Sequence, residues 1–144
     1  MANVYTYSFA DTTLTINHPS YGSYSAYGSG LGNVQISMAN DVTTHEVSAD
    51  TAVVVSKSVK RNGTVTIDVA QSSGFNEWIT AWANYIEQAP TSEFANTTMV
   101  IRNTSTGRTY TCTGVTHQKK ADESYQSTSQ NRSWTLMCAD IDQV

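Results

Sequence analysis

Apolar residues recur along this chain with two different periods, and the change of period marks the fold class. Phe75, Trp78, Ile79, Trp82 and Ile86 fall at i, i+3, i+4, i+7 and i+11, with Asn76, Glu77, Thr80, Asn84 and Glu87 opposite. That 3.6-residue stripe predicts one amphipathic helix over about 74–88. Gly74 with Glu77 three residues later gives it a start, and Ala89-Pro90 an end, because proline cannot continue the hydrogen-bond ladder. Elsewhere the period is two. Val65, Ile67 and Val69 alternate with Thr64, Thr66 and Asp68, the pattern of a half-buried strand, so the helix is expected to cover a sheet.

The same reading places strands at Val4–Phe9 and Thr12–Asn17 around a short Ala10-Asp11 connection, and another through Val34, Ile36 and Met38. Further strands are expected at Thr64–Ala70, Thr97–Arg102, Thr109–Thr116 and Ser133–Ile141. His18-Pro19 closes the second strand, and Tyr21–Gly32, rich in Tyr, Ser and Gly, reads as a loop. Ala39–Asp50 is polar and extended, Ala52–Val55 turns apolar, and the whole of about 39–59 reads as a long polar arm. Arg61-Asn62-Gly63 has the composition of a tight turn needing positive φ, and Asn103–Gly107 that of a second turn with glycine in the left-handed position. Ala121–Arg132 is a second polar loop. The expected fold is mainly β: an antiparallel barrel or sandwich of about seven or eight strands with one helix, 1–144 forming a single domain. No repeat is visible.

Composition narrows the function classes. A formal charge of −4, with eight basic residues scattered over 144, excludes the clustered Lys/Arg footprint of a nucleic-acid binder. Lys57, Lys60 and Arg61, and separately Lys119 and Lys120, read as solvated strand ends. No run of about 18 apolar residues spans a membrane, and Met1–Tyr7 lacks signal-peptide character, so assembly in a cytoplasm is expected. Cys112 and Cys138 lack metal-ligand spacing and read as buried thiols.

The search for chemistry is mostly negative. Gly28-Ser29-Gly30-Leu31-Gly32 leads into a strand, where a phosphate loop needs a helix. His18, His45 and His117 lie in three regions, and Asp140 and Asp142 share a face through strand period alone, so no cofactor or metal is expected. No Gly-x-Ser-x-Gly elbow is present. A small enzyme would have to draw on His45 with Glu46, or on Asp140 with Asp142, and nothing in the sequence supports one. Tyr21, Tyr24 and Tyr27 recur every third residue and form the best ligand-like signal, a stacking platform that a carbohydrate-binding β-sandwich could use. Against it stands packing over the end of the barrel. Trp78 and Trp82 read as core.

Gly28-Ser29-Gly30-Leu31-Gly32, an alternating strand, the polar arm, then Gly63-Thr64-Val65-Thr66-Ile67-Asp68-Val69 and a short helix together resemble the phage tail tube proteins. The resemblance takes in the Tyr5-Ser8-Phe9-Asp11 start and the late Cys112-Val115-Gln118-Lys119 run, nearly the whole chain. It implies a non-enzymatic virion subunit, assembled in the host bacterial cytoplasm, that closes into hexameric rings and stacks into the hollow tail tube. Its partners would be copies of itself, with tail sheath and baseplate or terminator proteins as neighbours, and DNA would pass through without specific binding. A tube terminator of the same fold is the nearest alternative. The arm is then the expected ring-stacking element, with Asp41, His45, Glu46, Asp50, Lys57, Lys60 and Arg61 as its charged and titratable positions.

Overall fold

The structure is a computed structural model and describes residue 4 and residues 6–26 and 31–143. Ten strands and two helices are present among them. In chain order they are β1 (Thr12–His18), β2 (Gly22–Ala26), β3 (Leu31–Met38), β4 (Thr43–Val47), β5 (Val53–Lys57), β6 (Gly63–Ala70), α1 (Gly74–Gln88), α2 (Thr91–Phe94), β7 (Thr97–Asn103), β8 (Arg108–His117), β9 (Asn131–Cys138) and β10 (Asp140–Gln143). Neither helix is long and apolar enough to cross a membrane. Every strand pair is antiparallel. Eight strands form one sheet in the order β2-β1-β7-β8-β9-β6-β3, with β10 also on β8, while β4 and β5 pair only with each other.

Alternation explains the sheet. In β6 the residues Val65, Ile67 and Val69 are wholly buried while Thr64, Thr66 and Asp68 are half-buried, and β1 and β9 follow the same rule. The inward rows meet Phe75, Ile79, Trp82 and Ile86 of α1, all fully buried, in one core. β8 serves both ends of the sheet because it bends. Gly114 has φ +63, and a Cβ there would come within 2.6 Å of that of Ala139. Past this bend β8 exchanges β10 for β9 along one edge, while on the other edge β7 still pairs Thr97 with Val115. The two outermost strands, β2 and β3, are separated by only four residues, 27–30. A span that short cannot exceed about 18 Å, so the sheet must curl until its edges approach, sandwich-like.

Several expectations need correction. Among the described residues of Val4–Phe9 no strand forms; Ser8 caps a 3-10 turn over Phe9–Asp11, its side chain accepting from Ala10 N at 3.3 Å. The presumed loop Tyr21–Gly32 contains β2, which pairs Tyr24 with Ile16 and Ala26 with Leu14. Arg61-Asn62-Gly63 is no positive-φ turn. Gly63 instead opens β6, where a Cβ would overlap the Ser37 carbonyl oxygen across the sheet. Ser133–Ile141 divides at Ala139, whose N–H reaches sideways to Thr113 O at 3.0 Å. Asn76, placed by periodicity on the polar face, is buried: its amide donates to Gln71 O at 3.0 Å, and its Oδ1 accepts from Trp134 Nε1 at 3.3 Å and Arg132 Nη1 at 3.2 Å. Arg132 Nη2 also donates to Ala121 O at 2.7 Å, so one buried guanidinium joins β9, the start of α1 and the polar loop. Ser73, not Gly74, caps α1, accepting from Asn76 N at 3.1 Å. The expected turn at Asn103–Gly107 is present, with Gly107 at φ +72 and Asn103 Oδ1 accepting from the Ser105 and Thr106 amides.

Candidate assembly surfaces

The arm is a two-stranded ribbon that leaves the sheet between β3 and β6. Its register pairs Thr43 with Lys57, Thr44 with Ser56, His45 with Val55, Glu46 with Val54 and Val47 with Val53. Directly opposed residues share a face. One face therefore carries Thr43, His45, Val47, Val53, Val55 and Lys57, and the other Thr44, Glu46, Val54 and Ser56. All ten residues of both strands are exposed; Val47 is 69% and Val55 62% accessible. Val42 and Val59 at the base are exposed as well. The arm expected to be polar thus displays six solvent-facing valines, and the Val53-Val54-Val55 run is the signal that sequence reasoning undervalued.

Local bonds hold the ribbon in shape. At the tip Ser48 N donates to Ala52 O at 2.9 Å, and Thr51 takes φ 67. The Asp50 carboxylate accepts from the Ser48 hydroxyl and from Ala52 N, and these bonds hold its pKa below the usual carboxylate range. At the root Ser58 N donates to Val42 O at 2.8 Å and Ala39 N to Asn62 O at 3.1 Å. Arg61 fixes that root to β10: Nε and Nη2 meet Asp140 at 2.9 and 3.3 Å, Nη1 meets Asp142 at 3.4 Å, and the Arg61 carbonyl accepts from Ile141 N. Of the seven positions expected to serve stacking, Arg61 is part of this anchor. His45, Glu46 and Lys57 lie on the ribbon, Asp50 at its tip, and Asp41 and Lys60 are exposed at its base. They do not converge into one cluster. Among the described residues no three His, Cys, Asp or Glu side chains are placed to hold a metal.

The other candidates resolve into packing. Tyr21 stacks on Tyr85 at 5.1 Å and 15°, and Tyr24 lies against Phe75 and Trp78 at 5.3 and 5.9 Å. These rings cover α1 and offer no open platform; Tyr27 is outside the described residues. Trp82 is wholly buried and donates from Nε1 to Thr97 Oγ1 at 3.0 Å, while half-buried Trp78 stacks beside it at 6.5 Å. His18 is wedged between Glu93 O, 2.9 Å from Nε2, and the amides of Ser20 and Tyr21, which donate to Nδ1. His117 Nε2 meets Glu87 Oε1 at 2.8 Å, and Lys120 Nζ meets the other oxygen at 3.1 Å. First the His117 bond and then Lys120 hold the Glu87 carboxyl below its ordinary range. Cys112 and Cys138 are buried, unbridged thiols, and the sulfur of Cys112 together with burial pushes the Cys138 thiol well up.

Among the described residues β2 pairs only with β1, and β3 only with β6, so both leave a sheet edge open. Beside β3, across from β8 and β10, runs a groove made of two adjoining hollows that share Ile36 and Tyr110.

With this geometry in view, comparison with known proteins gives a consistent picture. The model of the bacteriophage PhiTE tail tube protein family matches residues 4–144. Among solved structures the chain is similar to a chain of the sheath–tube complex of the extracellular contractile injection system PVC in its extended state. That match has a TM-score of 0.62 and 12% identity, covering 97% of this chain and 92% of that one. It is also similar to a chain of the PVC sheath/tube terminator, with TM-score 0.62, 10% identity and 99% coverage of both chains. The tube-terminating cap of the anti-feeding prophage matches with TM-score 0.61 and 9% identity, over 100% of this chain and 94% of that one. At such identities these likenesses concern the fold. No curated protein sequence matches.

Proposed function

The chain belongs to the bacteriophage PhiTE tail tube protein family and is a structural protein of the tail tube type, and from that premise we propose how it assembles. The whole chain acts as one tube-type domain. Copies close head to tail into rings, six to a ring as the family resemblance implies, and rings stack into a hollow tube through which DNA leaves the particle. Supporting this is the pairing of two kinds of unfinished surface, open edges at β2 and β3 and a free-standing arm. An open edge exposes unpaired N–H and C=O groups and is a liability in a monomer, but it is a joint in a polymer. The observation that carries the proposal is the arm. A hairpin without a hydrophobic face against anything is marginal in water, so ten exposed strand residues with valines on both faces call for cover from another copy.

The role is structural and not enzymatic. The net charge of −4 suits a conduit, because negative walls repel phosphate and let DNA slide. Sheath, baseplate and terminator proteins would be the outer partners, and assembly would take place in the host cytoplasm. A terminator of the same fold is the second reading, since the likeness to a chain of the sheath/tube terminator is as good as that to a chain of the sheath–tube complex. Electron microscopy of concentrated pure protein separates them: a tube protein gives long hollow rods, a terminator single rings. Deleting Asp41–Asp50 is expected to leave a folded subunit, judged by its thermal transition, that forms no rods. Rods of normal length from that deletion would contradict the role of the arm.

A further inference from the structure

Among the described residues none fills the groove beside β3. β3 contributes Val34, Ile36 and Met38, β8 contributes Tyr110, β10 contributes Ile141, and Ile101 of β7 lies behind. Met38 stays 48% exposed, and among the described residues the outer backbone edge of β3 has no strand partner. The arm of the same copy is rooted at one end of this groove, at Met38 and Arg61, and its valines stay exposed.

We infer that the β4–β5 arm of one copy lies in the groove beside β3 of another copy, its Val47, Val53 and Val55 face closing the seam. The inference rests on the tube reading and adds the receiving surface. Length supports it: the groove follows β3 for five residues, Val34–Met38, and each arm strand has five, about 17 Å in both cases. Chemistry supports it, because valines meet Val, Ile, Met and Tyr side chains. Charge supports it too. Residues 41–57 carry Asp41, Glu46 and Asp50 against Lys57 alone, and Arg108 is the charged side chain lining the far hollow. The ribbon's outer edges and the β3 edge can also supply one another's missing hydrogen bonds, as in strand addition. Each copy has one arm and one seam, so the contact is heterologous and propagates without closing on itself. The β3 edge thereby belongs to stacking, and the β2 edge is left for the ring.

Site-directed cross-linking tests this. Val55→Cys with Met38→Cys in one chain, oxidised with diamide after assembly, is expected to give a ladder of linked subunits about tenfold stronger than either single variant, because docking raises the effective thiol concentration to millimolar. Val55→Cys with Ile36→Cys is the second pair, placed one pleat further along the seam. The native thiols are buried, and wild-type rods serve as the control for them. Rods that form but cross-link no better than the single variants at both pairs would overturn the docking site and leave the tube reading standing. A wild-type chain that forms neither rings nor rods would overturn the tube reading itself, and the docking site with it.

Discussion

β6 and β5 are both valine-bearing strands, yet they obey different physics. In β6 every second side chain is wholly buried between α1 and neighbouring strands, so its conformation is fixed by the core of its own chain. In β5 all five residues are exposed, three valines among them, and only backbone bonds to β4 hold it in shape. Similar composition therefore encodes two things. One strand completes a fold; the other presents a surface that the fold leaves incomplete. The lesson is that apolar residues without an inward partner in the same chain mark where the next chain belongs.

The widest separation between the regions is expected from substitutions in the isolated subunit. Trp82→Ala removes a fully buried ring and strands Thr97 Oγ1, and should cost about 3–5 kcal/mol in urea denaturation, whereas Val55→Ala in the arm should stay within about 0.5 kcal/mol. Equal losses at the two positions would erase the distinction. A smaller effect sharpens the sheet side of it. Glu87 is held ionised by His117 and Lys120, so its folded-state pKa lies below its unfolded one. Its contribution is present above the ordinary glutamate range and is lost as pH falls through the depressed value. Glu87→Gln should therefore flatten the acid limb of the stability profile, measured by thermal melts from neutral pH down to strongly acidic conditions. At neutral pH it should cost under about 1 kcal/mol, since Glu87 is substantially exposed. An unchanged acid limb would show that the bridge from α1 to β8 contributes nothing.

Much of the sheet was legible because alternation and burial coincide there: Thr12–Asn17, Thr64–Ala70 and Thr97–Arg102 lie within a residue of the observed strands. The helix was equally plain, although Asn76 turned inward because Arg132 and Trp134 satisfy its amide, a long-range pairing that no local pattern records. Val4–Phe9 alternates like a strand, yet Ser8 diverts it into a turn. β2 was hidden by its Tyr, Ser and Gly content, since it is an edge strand with only Ala26 buried. Gly63 was misread because close approach to Ser37, not turn geometry, demands glycine there. At the arm, charge drew notice to Asp41, Glu46 and Asp50. The valines, which carry the assembly argument, became visible only when their solvent exposure was known.

Hydrogen exchange on free subunits and on assembled rods reads the arm and the core in one experiment. Amides of β4 and β5 are expected to exchange rapidly in free subunits and become protected in rods, while those of β6 are protected in both. Arm amides already as protected as β6 in the free subunit, or still unprotected in rods, would contradict the arm's role in assembly.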